Sequence, residues 1–139
     1  NKPFLADEAF HFSISHCGDY AAVIVSTDKR VGVDIEMPTP KVLKIANKFL
    51  HEEEQEELTA IGKRHDTVHT TLLWSAKEAM FKWWGFGNVD FSEMLRVQFN
   101  AIDEEGSLPS RFVHPDYTTS FRVHYKTFPK LLLAWVVTN

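Results

Sequence analysis

The apolar residues of this chain change period twice, and that change restricts its fold more than any other feature. Phe10, Phe12 and Ile14 alternate with His11, Ser13 and Ser15, and Val31, Val33 and Ile35 alternate with Gly32, Asp34 and Glu36. That is the period of a strand, and Tyr20 to Ser26 between them is a continuous apolar run of strand length. Thr27-Asp28-Lys29 reads as a turn, so the three segments predict an antiparallel meander. After Pro38 and Pro40 the period lengthens. Val42, Ile45, Ala46, Phe49 and Leu50 fall on one helical face, a Glu-rich helical stretch runs to about Ile61, and Gly62 to Asp66 breaks it. Thr70 to Trp84 is a third helix with Leu72, Ala76, Ala79, Met80 and Trp83 as its apolar stripe and Gly85 as its stop. Strands return at Leu95–Ala101, Ser120–Lys126 and Leu131–Val137, with Asp103 to Gly106 as a turn. The expected class is α+β, an antiparallel sheet packed against a few helices.

Composition bounds what such a domain does. The chain has 139 residues, enough for a single domain over 1–139. With 44% hydrophobic and 24% charged residues it has core material and is not a disordered segment. A net charge of -4 argues against a general nucleic-acid binder. One cysteine, Cys17, permits no internal disulfide and suggests a reducing, cytoplasmic setting. The longest apolar run, Leu131 to Val137, is far short of a membrane span, and no signal peptide is evident. The chain starts at Asn1, not Met, so a fragment or processed form is expected.

Three local features carry candidate chemistry. In Val31-Gly32-Val33-Asp34-Ile35-Glu36, strand alternation turns Val33 and Ile35 to the core and puts Asp34 and Glu36 on the other face, roughly 6–7 Å apart between Cα atoms. Two carboxylates on one rigid face suit Mg²⁺, although a solvent-facing strand shows the same alternation. In Trp74-Ser75-Ala76-Lys77-Glu78-Ala79-Met80-Phe81-Lys82, an ordinary amphipathic helix with a Glu78–Lys82 pair accounts for the spacing. Alternatively Glu78 is a third carboxylate or a general base, with Lys77 and Lys82 facing phosphate oxygens. In Phe12-Ser13-Ile14-Ser15-His16-Cys17-Gly18, His16 is expected in a turn at a strand end, as plain surface or as a phosphate donor. The other histidines show no zinc-ligand spacing; His65 and His69 are i,i+4 but have no third ligand.

Taken in order, Asn1-Lys2-Pro3, Phe12-Ser13-Ile14-Ser15-His16, Val31-Gly32-Val33-Asp34-Ile35-Glu36 and Trp74-Ser75-Ala76-Lys77-Glu78-Ala79 with Lys82 and Gly85 resemble the 4'-phosphopantetheinyl transferase superfamily. Because Ser15-His16 precedes Asp34, the order is similar to that of the two-lobed type, with this chain as the C-terminal lobe. The resemblance implies Mg²⁺-dependent transfer of the phosphopantetheine arm of coenzyme A to a serine of an acyl or peptidyl carrier protein. It implies Asp34, Glu36 and Glu78 as metal ligands, Glu78 also as base, and Lys82 as a second catalytic residue. Lys77 and Lys82 would meet the phosphates, Ser15 and His16 would contribute to the coenzyme A site, and Lys2 and Pro3 would border the adenine. Carrier proteins of the family are acidic, so Lys41, Lys44 and Lys48, on one helix face, are a candidate docking patch. Self-association in place of a missing lobe is a further expectation. Two other readings stay open: a metal-dependent phosphodiesterase or nuclease, and a non-catalytic lobe that binds coenzyme A or a partner.

Overall fold

A computed structural model describes residues 10–139. Three strands open the chain: β1 (His11–Cys17), β2 (Tyr20–Ser26) and β3 (Arg30–Glu36). Three helices follow, α1 (Lys41–Phe49), α2 (Glu52–Ala60) and α3 (Thr67–Trp84), and then β4 (Leu95–Val97), β5 (Glu105–His114), β6 (Tyr117–Phe128) and β7 (Leu131–Thr138). The α+β class is as expected.

The expected meander breaks at its third strand. β1 and β2 pair as an antiparallel hairpin, but β3 pairs with β7 at the edge of a second sheet ordered β3-β7-β6-β5-β4. Side chains replace the missing ladder. Ser13 Oγ accepts from Val33 N and Ser15 Oγ from Ile35 N, each at 3.1 Å. Serine hydroxyls therefore satisfy the edge amides that a neighbouring strand's carbonyls would otherwise take. The hairpin sits serine-face inward on that edge, so Ser13 and Ser15 are buried while Ile14, Val23 and Val25 are exposed. The apolar side of β1 thus faces outward, the reverse of what alternation alone suggests.

The main core lies between the larger sheet and α3, where Leu72, Ala76, Ala79, Met80 and Trp83 meet Phe112, Val123, Tyr125, Ala134 and Val136. Gly32 sets the closeness of that packing. A Cβ there would stand 2.1 Å from the Ala79 carbonyl oxygen and 2.6 Å from Trp83 N. The α3 side of β3 is accordingly the face of Gly32, Asp34 and Glu36, not that of Val33 and Ile35. The latter are buried on the opposite face, outside the main core. α3 starts on Asp66, whose carboxylate accepts from His69 N at 2.9 Å, and ends on Gly85 in the left-handed region.

Two other sequence expectations need correction. β4 is only Leu95–Val97; its ladder with β5 stops where Gln98 faces Pro109, and Phe99 N donates to Glu57 of α2 at 2.8 Å. The segment read as a turn at Asp103 to Gly106 already holds the first two residues of β5, Glu105 and Gly106. Pro109 hid that strand. Its carbonyl still accepts from Gln98 N at 2.8 Å, but its missing N–H removes the reciprocal bond of that pair, at the point where β4 ends.

Candidate active site

Strand alternation brings Asp34 and Glu36 to the α3 side of β3, opposite Ala134 and Leu132 of β7. On α3, Ser75, Glu78 and Lys82 recur at three- and four-residue spacing and share one face. The two faces meet. Lys82 Nζ lies 3.3 Å from Asp34 Oδ1 and 3.4 Å from the Ile14 carbonyl oxygen. Ser15 Oγ donates to Asp34 Oδ1 at 3.2 Å. Asp34 is 2% exposed, and its second oxygen, Oδ2, is buried with no well-formed hydrogen bond among the described residues.

Crowded negative charge dominates the electrostatics. Burial raises the Asp34 carboxyl above the usual carboxylate range, against the pull of a hydrogen bond from Glu36, of Lys82 and of the Ser75 hydroxyl. Glu36 is pushed up to about 9, first by burial, then by sharing a proton with and facing the charge of Asp34, and then by Glu78. Glu78 is pushed up to about 7 by burial and by the charge of Asp34, with Lys82 opposing. Each carboxyl thus feels another of the set, and Lys82 is the cation that offsets all three.

Such a set fits a hard divalent cation in its donor chemistry. It supplies three carboxylates, a buried oxygen on Asp34 with no well-formed hydrogen bond among the described residues, and excess negative charge that a cation would relieve. Among the described residues, however, no three His, Cys, Asp or Glu side chains stand already gathered as a metal-holding group. Asp34, Glu36 and Glu78 are electrostatic neighbours, not a closed cage.

The remaining sequence candidates divide. Ser15 is buried and holds Asp34 and β3, so its hydroxyl is committed to the protein. His16 lies within β1, opposite Ala21, and is exposed; the turn comes later, at Gly18 and Asp19. Lys77 does not reach the carboxylates. It is 0% exposed, and Nζ donates to Glu54 Oε1 at 2.6 Å and to the carbonyls of Phe49 and Phe91 at 2.7 and 2.9 Å. All three of its protons are taken, so the expectation that it faces a phosphate is not met. Lys41, Lys44 and Lys48 are exposed on α1. Lys2 and Pro3 lie outside the described residues. No helix among the described residues is long and apolar enough to cross a membrane.

Sequence reasoning assigned no role to Ser75, which is fully buried on the site face of α3 and whose hydroxyl has no well-formed hydrogen bond among the described residues. Its spacing of three from Glu78 and seven from Lys82 was the signal.

Comparison with known proteins places the chain. The 4'-phosphopantetheinyl transferase superfamily pattern matches residues 30–136, which spans β3 to β7 and both halves of the carboxylate site. The chain belongs to that superfamily. It is 40% identical over 88 residues to 4'-phosphopantetheinyl transferase Sfp of Bacillus subtilis (strain 168), covering 62% of this chain and 38% of that protein. It is 29% identical over 153 residues to another 4'-phosphopantetheinyl transferase of Bacillus subtilis, covering 94% of this chain and 67% of the relative. With 4'-phosphopantetheinyl transferase psf-1 of Bacillus pumilus it shares 38% over 79 residues, 57% of this chain and 34% of the relative. The chain thus spans between 34% and 67% of the length of these relatives.

Proposed function

We propose that this chain takes part in transferring the 4'-phosphopantetheine arm of coenzyme A to a serine hydroxyl of an acyl or peptidyl carrier protein. The observation that carries this reading is the mutual crowding of Asp34, Glu36 and Glu78 beside Lys82, in a chain of this superfamily.

The reaction balances simply. The carrier serine oxygen bonds to the phosphorus that bears the pantetheine arm, the bond from that phosphorus to the bridging pyrophosphate oxygen breaks, and adenosine 3',5'-bisphosphate leaves. Asp34, Glu36 and Glu78 would hold Mg²⁺, which when bound would neutralise pyrophosphate oxygens. Glu78 takes the serine proton, directly or through a water. Without a cation its carboxyl is raised to about 7 by burial and by the charge of Asp34, and bound Mg²⁺ would hold it ionised, ready to accept that proton. Lys82, partly exposed and able to swing away from Asp34, balances charge on the phosphates. Ser15 contributes by holding Asp34, not by touching coenzyme A. His16 is free to meet a phosphate, and Lys2 and Pro3 keep their proposed place beside the adenine. Lys77 serves the fold.

The test is a mass measurement on an apo carrier protein incubated with coenzyme A, Mg²⁺ and the chain. The wild type should add one phosphopantetheine. Glu78→Gln and Asp34→Ala should add none while keeping the wild-type circular dichroism spectrum. Activity that survives in Asp34→Ala would remove the metal role. A second reading, a half that binds coenzyme A without turnover, is favoured by the partial span of the relatives. It predicts Mg²⁺-dependent thermal protection by coenzyme A with no mass gain. A phosphodiesterase would instead release product from a simple diester without any carrier.

A further inference from the structure

Ser15 and Lys82 both act on Oδ1 of Asp34, whereas Oδ2 is buried with no well-formed hydrogen bond among the described residues. The Ser75 hydroxyl is likewise fully buried with no well-formed hydrogen bond among them. The packing of α3 on β3 puts the two side by side. Gly32 lies under Ala79 and Trp83, and α3 runs antiparallel to β3, since Arg30 reaches the Trp83 and Trp84 carbonyls at its far end. Two residues along the strand, about 6.6 Å, match a little over one helical turn back along α3. That step leads from Ala79 to Ser75 as it leads from Gly32 to Asp34. If packing alone mattered, alanine would serve better here, since a buried hydroxyl without a partner costs stability and serine is the poorer helix former.

Resting on the Mg²⁺ reading above, we propose that Ser75 is a positioning residue for Asp34: its hydroxyl donates to Oδ2 when the carboxylate is ionised against a cation, and fixes that oxygen toward the ion. Ser15 then orients Oδ1 from β1 and Ser75 orients Oδ2 from α3. A carboxylate has lone pairs enough for both serines and a metal. Partners that orient a metal ligand typically control affinity by 10- to 100-fold.

The experiment is calorimetric titration of Mg²⁺ into the full chain with coenzyme A present, paired with thermal melting without metal. Ser75→Ala and Ser75→Cys should weaken Mg²⁺ by about tenfold. Both should melt, metal-free, at or above the wild-type temperature, because each removes an unsatisfied buried hydroxyl. Ser75→Thr keeps the hydroxyl and should retain affinity within about threefold, well inside the range lost with a missing partner. A merely structural serine gives the opposite pattern, with lowered melting and unchanged Mg²⁺ affinity, and that result overturns the proposal. Equal Mg²⁺ affinity in Ser75→Ala and wild type overturns it as well. A wild type that takes up no Mg²⁺ overturns the metal reading itself, a distinct result.

Discussion

Asp34 is held in a state that suits binding better than stability. Its carboxyl is buried among two others, and Lys82 is the cation that opposes their charge. Replacing Asp34 with asparagine keeps the shape and the acceptor for Ser15 but removes a buried charge. Asp34→Asn should therefore melt about 3 °C above wild type in the absence of metal, since relieving strained functional sites commonly stabilises. The same variant should lose any Mg²⁺-induced rise in melting temperature. Scanning calorimetry with and without Mg²⁺ checks both halves. Lys77 lies five residues before Lys82 on the same helix yet belongs to a different environment. Removing one partner of a buried, fully bonded ion pair typically costs about 3–5 kcal/mol. Lys77→Met should lose stability on that scale in urea denaturation, and Glu54→Gln added to it should restore part of the loss. A Lys77→Met protein of unchanged stability with a raised KM for coenzyme A would return this lysine to the phosphate site.

At the scale of elements, two joints place the carboxylates: Gly32 under α3 and Asp66 at its start. Adding a methyl at Gly32 forces backbone against backbone, and overpacking of this kind costs about 1–3 kcal/mol. Gly32→Ala should be destabilised by at least that much and should blunt Mg²⁺ binding, because it pushes Glu78 and Lys82 away from Asp34. Asp66 is lowered below its ordinary value of 3.8, chiefly by the His69 backbone N–H it accepts. A carboxylate depressed on folding adds stability that is complete above its unfolded value and fades as pH falls through the folded one. Asp66→Ala should cost about 1 kcal/mol at neutral pH. Its deficit relative to wild type should shrink in acid, below about pH 4, and a deficit that grows there would contradict the cap. These joints also mark how far the sequence could be read. The helical stripe of Leu72 to Trp83 and the Asp34–Glu36 alternation were legible because periodicity reports local faces. The hairpin's inversion was not, because the serines of β1 answer to backbone amides of β3, a long-range demand without periodic trace. Lys77 was misjudged for the same reason. Its partner Glu54 lies 23 residues away in the Glu-rich stretch, whose carboxylates also accept from Val97 N of β4 and from Phe99 N.

Across the whole molecule, the exposed lysines of α1 follow directly on β3, so a docked macromolecule on α1 would lie near the strand that carries Asp34 and Glu36. If an acidic carrier protein docks on Lys41, Lys44 and Lys48, Lys44→Glu should raise the carrier's apparent KM several-fold at low salt and leave that of coenzyme A unchanged. Equal effects on both substrates would reject the patch. The most direct measurement is anomalous diffraction from crystals grown with coenzyme A and Mn²⁺ in place of Mg²⁺. The account predicts one peak at coordination distance, about 2.0–2.2 Å for hard oxygen ligands, from carboxylate oxygens of Asp34, Glu36 and Glu78 together. A peak bound by other residues, or one that leaves Glu78 turned away from the ion, would contradict it.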